Sequence, residues 1–539
     1  MDSGTGLMME DAGTIASETI ALQEGIRELY REGQTDHSLE PLVVVDQEGK
    51  PVGLIEDGDA VIFCCRRGER EIQLTEAFVE PDFNVFPRKS FNDLIFVPLT
   101  LYHEKFRNLP VAFPPIKLKD TLAEVVSRHG LRQLHIAESE KFAHVTFFFN
   151  GGKNQPFPGE EDIHVPSPRG VPFEQLPELN ISGVREAALR GIGKGYDLIV
   201  ANFANGDVIG HVTDQGAKIR CAQAVDKNLG LLVQAAITKN YALMITADHG
   251  IFEEMMKNDG TANIGHTTNL VPFILVKKDP PLKSKMMLRE GKLADVAPTV
   301  LEVLGLPKPE TMTGHSLLPG GLRKNPQRVV LVILDGWGLG KDDGTNPIFS
   351  ADTPVWDKLK SVYAFNRLEA SGEAVGLGPG QLGNSEAGHM NLGAGRVVPQ
   401  DDVRLELAMK NGTFYANQVF LRTMNEVKQR NSILHLFALL SEKSSHGTME
   451  YPLALLQLAK EKGLKAVNVH IIFDGRGTEP GSAPFLLENF SKKMATTGVG
   501  NIASGVGRDF ALDRDGDYAR TRIAYDAFVF GKGRACLMK

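Results

Sequence analysis

Two neighbouring residues with metal-binding side chains, Asp248 and His249, stand at the end of an apolar, strand-like run (Tyr241 to Ile245). Aspartate and glycine often end strands as turn residues, so an Asp-His pair alone is compatible with an ordinary turn. A carboxylate oxygen and an imidazole nitrogen together also suit Zn²⁺ or Mn²⁺. The pair therefore indicates a metal site only if the chain supplies further ligands elsewhere.

Candidate partners for this pair occur in other segments of the chain. Asp207 and His211 are four residues apart after the run DLIVANF, a spacing that places both side chains on one face of a helix. His266 lies in the loop GHTTN, Asp335 follows the apolar run LVIL, and Ser385 lies in the glycine-rich stretch LGNSEAGHMNLGAGR. Each segment has an ordinary interpretation as a chance pair or a turn. Together with the first pair they supply three aspartates, three histidines and a serine, which suit two divalent ions at a nucleophilic hydroxyl.

The segments that must position these residues have the pattern of an α/β protein. Nearly continuous apolar runs recur in DLIVANFANGD, ALMITADHG, VVLVILDGWGLG and AVNVHIIFDGRG, each followed by a helical stretch. Such runs are typical of buried parallel strands, and ligands bind at the carboxyl ends of those strands. Apolar residues at helical spacing predict covering helices over 293–306 and 452–464. The Gly/Pro-rich stretch 318–327 is predicted to be a linker or surface loop.

The bulk composition predicts a cytoplasmic enzyme or binding protein. The 539 residues exceed what one core usually organises, so two or more domains are expected. A net charge of −8 argues against a nucleic-acid-coating or membrane-surface role. The cysteines show neither a zinc-ligand pattern nor a disulfide framework, so reduced thiols are expected at Cys64, Cys65, Cys221 and Cys536. The acidic N-terminus lacks the apolar core of a signal peptide, and no apolar run approaches the roughly 20 residues that span a bilayer.

The motifs around these residues resemble those of one known family. They are LDGWG, GNSEAGHMNLGAGR, ALDRD, ESEKFAHVTFFFNGG, NGDVIGH, TADHG and GHTTNLVPF, and they extend over nearly the whole chain. The chain resembles the cofactor-independent (2,3-bisphosphoglycerate-independent) phosphoglycerate mutases of the alkaline phosphatase superfamily. The resemblance implies one metal held by Asp207, His211 and His266. It implies a second metal, with Ser385 as the phosphoserine, held by Asp335, Asp248, His249 and Ser385.

The order of the motifs differs from that of the family. The segment that resembles the family's opening part, VVLVILDGWG, follows the segment that resembles its closing part, and GGLRKNPQ joins them. The sequence therefore resembles a circular permutant, and such a join is tolerated where the original termini lie close together at a surface. It predicts a two-domain α/β protein. A contiguous alkaline-phosphatase-like domain is expected at 116–400, and a phosphoglycerate-transferase-like domain is expected to be split into 401–539 and 1–115.

A phosphoglycerate carries a phosphate and a carboxylate, so a net-acidic protein needs local clusters of cations to bind it. Arginine binds both groups through paired hydrogen bonds, although a single arginine is more often only solvated. Positions within family-like motifs indicate substrate contacts for Arg67, Arg70, Arg476, Arg508, Arg514, Lys141 and His446. The loop of His446, SEKSSHGT, lacks the acidic-Gly-Gly start of the family. Gly477 replaces the family's aspartate in DGRG, which removes the usual carboxylate of the acid/base step.

The resemblance implies interconversion of 3-phosphoglycerate and 2-phosphoglycerate, a step of glycolysis and gluconeogenesis, without bisphosphoglycerate. Ser385 would take the phosphoryl group and return it to the other hydroxyl of a glycerate that domain closure keeps from water. Two divalent ions are expected, Mn²⁺ first, with Co²⁺, Mg²⁺ or Zn²⁺ as alternatives, in a monomer that binds neither nucleic acid nor membrane. The alternatives are a metal-dependent phosphatase or phosphodiesterase of the same superfamily and a catalytically impaired binding protein. We interpret His144, His389 and His435 as structural.

Overall fold

The chain is an α/β protein that divides into two units, each built around a β-sheet, as the sequence predicts. A computed structural model describes residues 16–257, 259–278, 288–319 and 326–539. Unit 1 consists of Met1–Pro115 and Arg404–Lys539, and unit 2 consists of Ile116–Val403.

The strands are short and mostly buried. In chain order they are β1 (Leu42–Val45), β2 (Ala60–Phe63), β3 (Ile95–Pro98), β4 (Gln133–Glu138), β5 (Glu160–Val165), β6 (Leu198–Phe203), β7 (Ala242–Thr246), β8 (Val271–Val276), β9 (Gly291–Lys292), β10 (Val329–Leu334), β11 (Ala364–Glu369), β12 (Leu434–Leu440), β13 (Val467–Phe473), β14 (Asn501–Gly507) and β15 (Arg534–Leu537).

The α-helices cover the faces of the sheets. They are α1 (Ser17–Arg31), α2 (Gly68–Val79), α3 (Leu122–Arg128), α4 (Ile181–Lys194), α5 (Asn205–Gly210), α6 (Gln215–Thr238), α7 (Val296–Leu304), α8 (Pro347–Ser350), α9 (Pro354–Val362), α10 (Ser385–Ala394), α11 (Asp401–Lys410), α12 (Gln418–Arg430), α13 (Glu450–Lys462), α14 (Ala483–Thr497), α15 (Arg508–Ala511) and α16 (Tyr518–Phe530).

Unit 2 has a sheet in the order β5-β4-β6-β10-β7-β8-β11-β9. Strands β5, β4, β6, β10 and β7 run parallel, and β8 is antiparallel to β7. The register pairs Val329 of β10 with Leu198 of β6 and Ala242 of β7, so the three central strands end at the same level. All their residues are buried, as expected for continuous apolar runs in a covered parallel sheet.

Unit 1 has a sheet in the order β15-β1-β14-β13-β12-β2-β3, with only β1 and β14 antiparallel among these neighbours. Side chains alternate between two apolar clusters: Leu42 and Val44 belong to one, and Val43 and Val45 belong to the other. Both faces of this sheet are therefore covered.

The predicted helices are found with small changes at their ends. The segment 293–306 contains a single 3₁₀ turn and then α7, and 452–464 corresponds to α13, which begins two residues earlier. Most of the predicted linker 318–327 lies outside the described residues, as does most of the acidic N-terminal segment. All four cysteines are buried and unpaired. Among the described helices, none combines the length and the apolar composition needed to cross a membrane.

Candidate metal centre and anion pocket

The three central strands of unit 2 bring the predicted acids together. Asp335 directly follows β10, and its backbone N–H still donates to the carbonyl oxygen of Phe203 in β6, at 3.1 Å. Asp248 lies two residues beyond β7, and Asp207 lies in α5, which follows β6. Parallel strands of equal register thus place the carboxylates at one edge of the sheet, the edge where α/β proteins bind ligands.

Ser385 is the first residue of α10, and its hydroxyl lies among these groups. The Oγ atom lies 2.6 Å from Lys141 Nζ, 2.9 Å from His249 Nε2 and 3.3 Å from Asp335 Oδ1. The helix lies so close to the strand ends that a Cβ at Gly388 would lie only 2.5 Å from the Asp248 carbonyl oxygen. Glycine at that position therefore lets α10 present the serine to the acids.

One group of ligands surrounds Asp207. Its Oδ1 lies 3.4 Å from His211 Nε2 and 3.3 Å from His266 Nε2. The Nδ1 atoms of the two imidazoles lie 2.8 Å and 2.6 Å from the carbonyl oxygens of Ile264 and Gly383. A carbonyl only accepts, so Nδ1 of each ring carries a proton. In the neutral state of each ring the Nε2 lone pair is then directed at Asp207, and in the protonated state Nε2 donates to that carboxylate.

This arrangement fits a divalent cation. Asp207 Oδ1 is buried and accepts no hydrogen bond from any described residue, although the lone pairs of two imidazoles face it. Burial raises the pKa of the Asp207 carboxyl, but the neighbouring imidazoles and Lys141 outweigh this and hold it well below its usual range. A cation among these atoms would satisfy the orphaned oxygen and both Nε2 atoms, as in a carboxylate-imidazole metal site.

A second group lies around Asp248, Asp335 and His249. The His249 Nε2 atom lies 3.4 Å from Asp248 Oδ2 and 3.7 Å from Asp335 Oδ1. Asp248 Oδ2 is also buried and has no hydrogen-bond partner within the part of the chain that the structure describes. All seven predicted ligands thus meet at one centre, and two orphaned carboxylate oxygens mark places for cations. Their assignment to two metals stays a prediction.

Lys141 occupies the middle of this centre. Its Nζ lies 2.7 Å from Asp207 Oδ2 and 2.6 Å from Asp335 Oδ1, in addition to its contact with Ser385. Burial disfavours the charged amine, but the Asp335 and Asp207 carboxylates outweigh it and raise the pKa of Lys141. The lysine is therefore an ammonium ion that contacts the Ser385 oxygen. The sequence predicted Lys141 only as a substrate contact.

Two residues in this centre have roles that the sequence did not predict. His389, interpreted above as structural, lies one turn after Ser385, with Nδ1 2.9 Å from the Ser385 carbonyl oxygen and 3.3 Å from Asp248 Oδ2. Asn202 Nδ2 donates to Asp335 Oδ2 at 2.6 Å and lies 2.9 Å from His389 Nε2. The spacing of four between Ser385 and His389 was the available signal, since it predicts that both face the same direction on a helix.

The loop that carries His266 is attached by Glu253, a buried residue that no motif in the sequence indicates. The Glu253 carboxylate accepts from Thr267 Oγ1 at 2.5 Å, from Asn269 Nδ2 at 2.8 Å and from Gly338 N at 3.1 Å. One carboxylate thus joins the GHTTN loop to the loop after β10. It fixes the backbone next to His266 without contacting the metal-ligand atoms.

Unit 1 contains a cavity of about 340 Å³ that collects most of the predicted anion-binding residues. Its lining is Glu69, Arg70, Lys443, Ser444, Ser445, His446, Arg476, Gly477, Arg508 and Arg514. The pKa of Arg70 is lowered by burial and by the neighbouring cations Arg514 and Arg508. Such crowding of like charges is favourable only where an anion binds, so the cavity suits a phosphate or a carboxylate.

The structure does not bring Arg67 into this cavity. Arg67 is the residue before α2, its side chain is 52% exposed, and its Nε lies 3.5 Å from Glu69 Oε1. Because α2 begins at Gly68, Arg70 lies in the helix and lines the cavity, whereas Arg67 precedes the helix and lies outside the cavity lining. Arg66, in contrast, donates to the carbonyl oxygens of Ser444 and Ser445, at 2.8 Å and 3.1 Å, and so supports the loop of His446.

Two acids that no motif in the sequence indicates, Asp474 and Glu71, contact residues of the cavity lining. Arg508 forms an ion pair with the buried Asp474, and its Nε has no partner among the described residues. Asp474 also accepts from the backbone N–H of Gly477, at 3.0 Å. His446 pairs with Glu71, with 3.0 Å between Nδ1 and Oε1. Burial raises the pKa of Glu71, and the contact with His446 opposes that shift.

Comparisons with known proteins point to one group. A family model described as the metalloenzyme superfamily matches residues 17–308, and one described as the N-terminus of BPG-independent PGAM matches residues 405–538. A curated 2,3-bisphosphoglycerate-independent phosphoglycerate mutase of Moorella thermoacetica is 46% identical over 299 residues, which are 55% of this chain and 57% of the relative. That of Thermomicrobium roseum is 45% identical over 301 residues, again 55% of this chain and 57% of the relative.

The chain spans about half the length of the curated relatives that it matches. A solved structure of the phosphoglycerate mutase of Leishmania mexicana, at low cobalt concentration, is 32% identical and covers 51% of this chain and 53% of its own, with a TM-score of 0.40.

Proposed function

We propose a specific reaction for this chain, which belongs to the metalloenzyme superfamily. It interconverts 3-phosphoglycerate and 2-phosphoglycerate through a phosphoserine at Ser385, without bisphosphoglycerate. The observation that carries this proposal is the environment of the Ser385 hydroxyl. A buried ammonium, an imidazole and a carboxylate contact one serine oxygen, beside two carboxylate oxygens that lack partners among the described residues.

The residues of unit 2 fit the transfer of a phosphoryl group to this serine. The Lys141 ammonium stabilises negative charge on the Ser385 oxygen as the hydroxyl loses its proton. Asp335 and His249 fix the direction of the hydroxyl. Divalent ions held by Asp207, His211, His266, Asp335, Asp248 and His249 would act as Lewis acids that lower the pKa of the serine hydroxyl and offset phosphoryl charge. We propose two such ions, Mn²⁺ first, with Co²⁺, Mg²⁺ or Zn²⁺ as alternatives.

The cavity of unit 1 fits the binding of the small, anionic remainder of the substrate. Arg70, Arg476, Arg508 and Arg514 line it, and their guanidinium groups suit a carboxylate or a phosphate. We therefore assign unit 2 the metal-dependent chemistry of an alkaline-phosphatase-like domain and unit 1 the role of a phosphoglycerate-transferase-like domain. We propose a cytoplasmic monomer for the complete enzyme, from the resemblance alone.

We also propose that the chain is a circular permutant of this family. The match that is described as an N-terminus covers 405–538, after the metalloenzyme match at 17–308, and this order supports the proposal. A chain re-permuted to begin at residue 326, with residue 539 linked to residue 16, is expected to fold and to keep the activity. Loss of folding in that chain would contradict the proposed permutation.

The experiment for the activity is ³¹P NMR of 3-phosphoglycerate that has been incubated with the protein and Mn²⁺, Co²⁺ or Mg²⁺, with no bisphosphoglycerate added. The spectrum is recorded after a chelating resin has removed the metal ions, because Mn²⁺ and Co²⁺ are paramagnetic. We expect 2-phosphoglycerate to appear, and we expect no turnover in Ser385→Ala. Ser361→Ala, at an exposed serine in α9 of the same unit, is the matched control and should keep the activity. Release of inorganic phosphate alone would favour the phosphatase alternative and overturn the mutase proposal.

A further inference from the structure

Glu71 is a fully buried carboxylate in the first turn of α2, and the proposed function does not use it. Its Oε2 accepts the backbone N–H of Arg70, at 3.1 Å. Its Oε1 lies 3.0 Å from Nδ1 of His446, a residue 375 positions away in the sequence. A charge of this kind is costly to bury, so both of its oxygens have a donor.

His446 is held between this acid and the cavity. Its carbonyl oxygen accepts from Arg66 N at 2.8 Å, and its own N–H donates to Ser444 Oγ at 3.4 Å, so the loop fixes the backbone. Within the described residues, Nε2 of His446 makes no hydrogen bond, and His446 is the only histidine of the cavity lining. It is therefore the group in this lining whose neutral side chain offers a ring-nitrogen lone pair to a proton.

Charged groups of both signs surround the cavity that His446 lines. Glu71 contacts His446, Asp474 contacts Gly477 of the lining, and the other charged residues of the lining are Glu69, Arg70, Lys443, Arg476, Arg508 and Arg514. The Glu71 carboxylate stabilises the imidazolium once a proton has been accepted, as the aspartate of a catalytic triad does.

We propose that Glu71 is a positioning residue that holds His446 with the proton on Nδ1 and the lone pair of Nε2 toward the cavity, where Nε2 accepts a proton from a hydroxyl of the bound hydroxy acid. This inference rests on the proposed function. The hydroxyl O–H bond breaks, an N–H bond forms at Nε2, and the oxygen keeps the electron pair. That oxygen bonds to phosphorus while the bond from phosphorus to the Ser385 oxygen breaks and leaves its electron pair on that oxygen. In the reverse direction the imidazolium returns its proton.

The cavity lacks a carboxylate at position 477, where the family has an aspartate and this chain has glycine, so another group must act as the base. Gly477 lines the same cavity and supplies no side chain, and the Asp474 carboxylate beneath it is occupied by Arg508 and by the Gly477 N–H. Glu69, the carboxylate in the lining, lies 3.0 Å from Arg514 and 3.5 Å from Arg67. Both acids are thus paired with cations, whereas Nε2 of His446 is unpaired among the described residues.

The variant Glu71→Gln tests this role because an amide has only one accepting oxygen. The Arg70 N–H requires that oxygen, so the amide NH₂ must face Nδ1 of His446. It can donate only to a lone pair there, and the imidazole proton moves to Nε2. The side chain keeps its size and shape, but the base becomes a donor, as in a triad whose acid is replaced by an amide.

The experiment combines kinetics with ¹⁵N NMR of histidine-labelled protein, loaded with Mg²⁺ because Mn²⁺ is paramagnetic. We expect the Nδ1–H tautomer of His446 in the wild type and the Nε2–H tautomer in Glu71→Gln, with His446→Gln used to assign the signals. We expect kcat of Glu71→Gln to fall by about 10²–10⁴-fold while KM for 3-phosphoglycerate changes little. Glu69→Gln, in the same helical turn, is the matched control and should keep the wild-type tautomer.

A protonated Nε2 in the wild type would overturn the proposal, and so would an unchanged tautomer and kcat in Glu71→Gln. If Glu71→Gln does not fold, His446→Gln decides instead, since a kcat within tenfold of the wild type would exclude His446 as the base. A wild-type protein without mutase activity would contradict the proposed function. The tautomers of wild type and Glu71→Gln would then still decide whether Glu71 positions His446.

Discussion

Replacement of Lys141 by methionine should destabilise the metal-free protein more than the metal-loaded protein. The Lys141 ammonium is 4% exposed and contacts Asp207, Asp335 and the Ser385 hydroxyl. Methionine keeps a similar apolar stem but removes the charge. In the absence of divalent ions the two carboxylates then lose their buried counter-charge.

The expected magnitude follows from these contacts. Removal of one partner of a buried ion pair typically costs about 3–5 kcal/mol, so we expect a loss of this size in the presence of a chelator. When divalent ions bind, they supply positive charge to the same carboxylates. The remaining loss is then the hydrogen bond from the charged ammonium to the Ser385 oxygen, which is worth about 1.5–3 kcal/mol.

The assay is urea denaturation of wild type and Lys141→Met, each with EDTA and with saturating Mn²⁺. Lys239→Met, at an exposed lysine after α6, is the control and should change the free energy of unfolding by less than about 0.5 kcal/mol in either condition. An equal loss for Lys141→Met with and without Mn²⁺ would refute the reasoning. It would mean that the ions do not bind at the carboxylates that Lys141 contacts.

Three further outcomes are expected. Contact with Asp207 raises the pKa of His211, and at His266 burial lowers the pKa but contact with Asp207 outweighs it. Affinity for Mn²⁺, measured by calorimetry, should therefore fall by up to about tenfold per pH unit for each histidine below these pKa values, because protonation competes with the metal. A flat affinity from pH 8 to 5 would contradict this. Burial and the neighbouring His435 hold the pKa of His470 well below its usual value, so below about pH 6.5 the unfolded chain binds a proton that the folded chain does not. Urea denaturation should therefore show about 1.4 kcal/mol less stability at pH 5.5 than at pH 7.5 from this group. The variant His470→Gln should lack that part of the pH dependence. A Cβ at Gly477 would lie 2.7 Å from Asp474 Oδ2 and 3.2 Å from the Lys443 carbonyl oxygen, so Gly477→Ala should cost about 1–3 kcal/mol, whereas Gly344→Ala, which meets nothing within 4 Å, should be nearly neutral.

The centre in unit 2 could be predicted from the sequence because its residues follow long apolar runs. A continuous run such as VVLVIL forms a buried parallel strand, and the residue after it must lie at the carboxyl edge, as Asp335 does. The Asp207–His211 spacing likewise brings both residues to one side of the end of α5. Local pattern therefore determines most of this site.

The remaining features depend on contacts between distant segments. Glu71 and His446 come into contact because β2 pairs with β12 and the segments after both strands lie close together. No local sequence pattern predicts a contact of this kind. The exposed position of Arg67 depends on the residue at which α2 begins, and helix ends are the least predictable part of a helix. Glu253 and Asn202 act through side chains and backbone groups far away in the sequence. Their roles become visible only in the folded chain.

The most direct test of the central claim, that Ser385 carries the phosphoryl group, is mass spectrometry of protein quenched in acid during turnover of 3-phosphoglycerate with Mn²⁺. We expect one phosphoryl group on the peptide that contains Ser385, formed within one turnover and absent from Ser385→Ala and from protein treated with a chelator. Turnover to 2-phosphoglycerate with no phosphopeptide, or with the phosphoryl group on another residue, would contradict it.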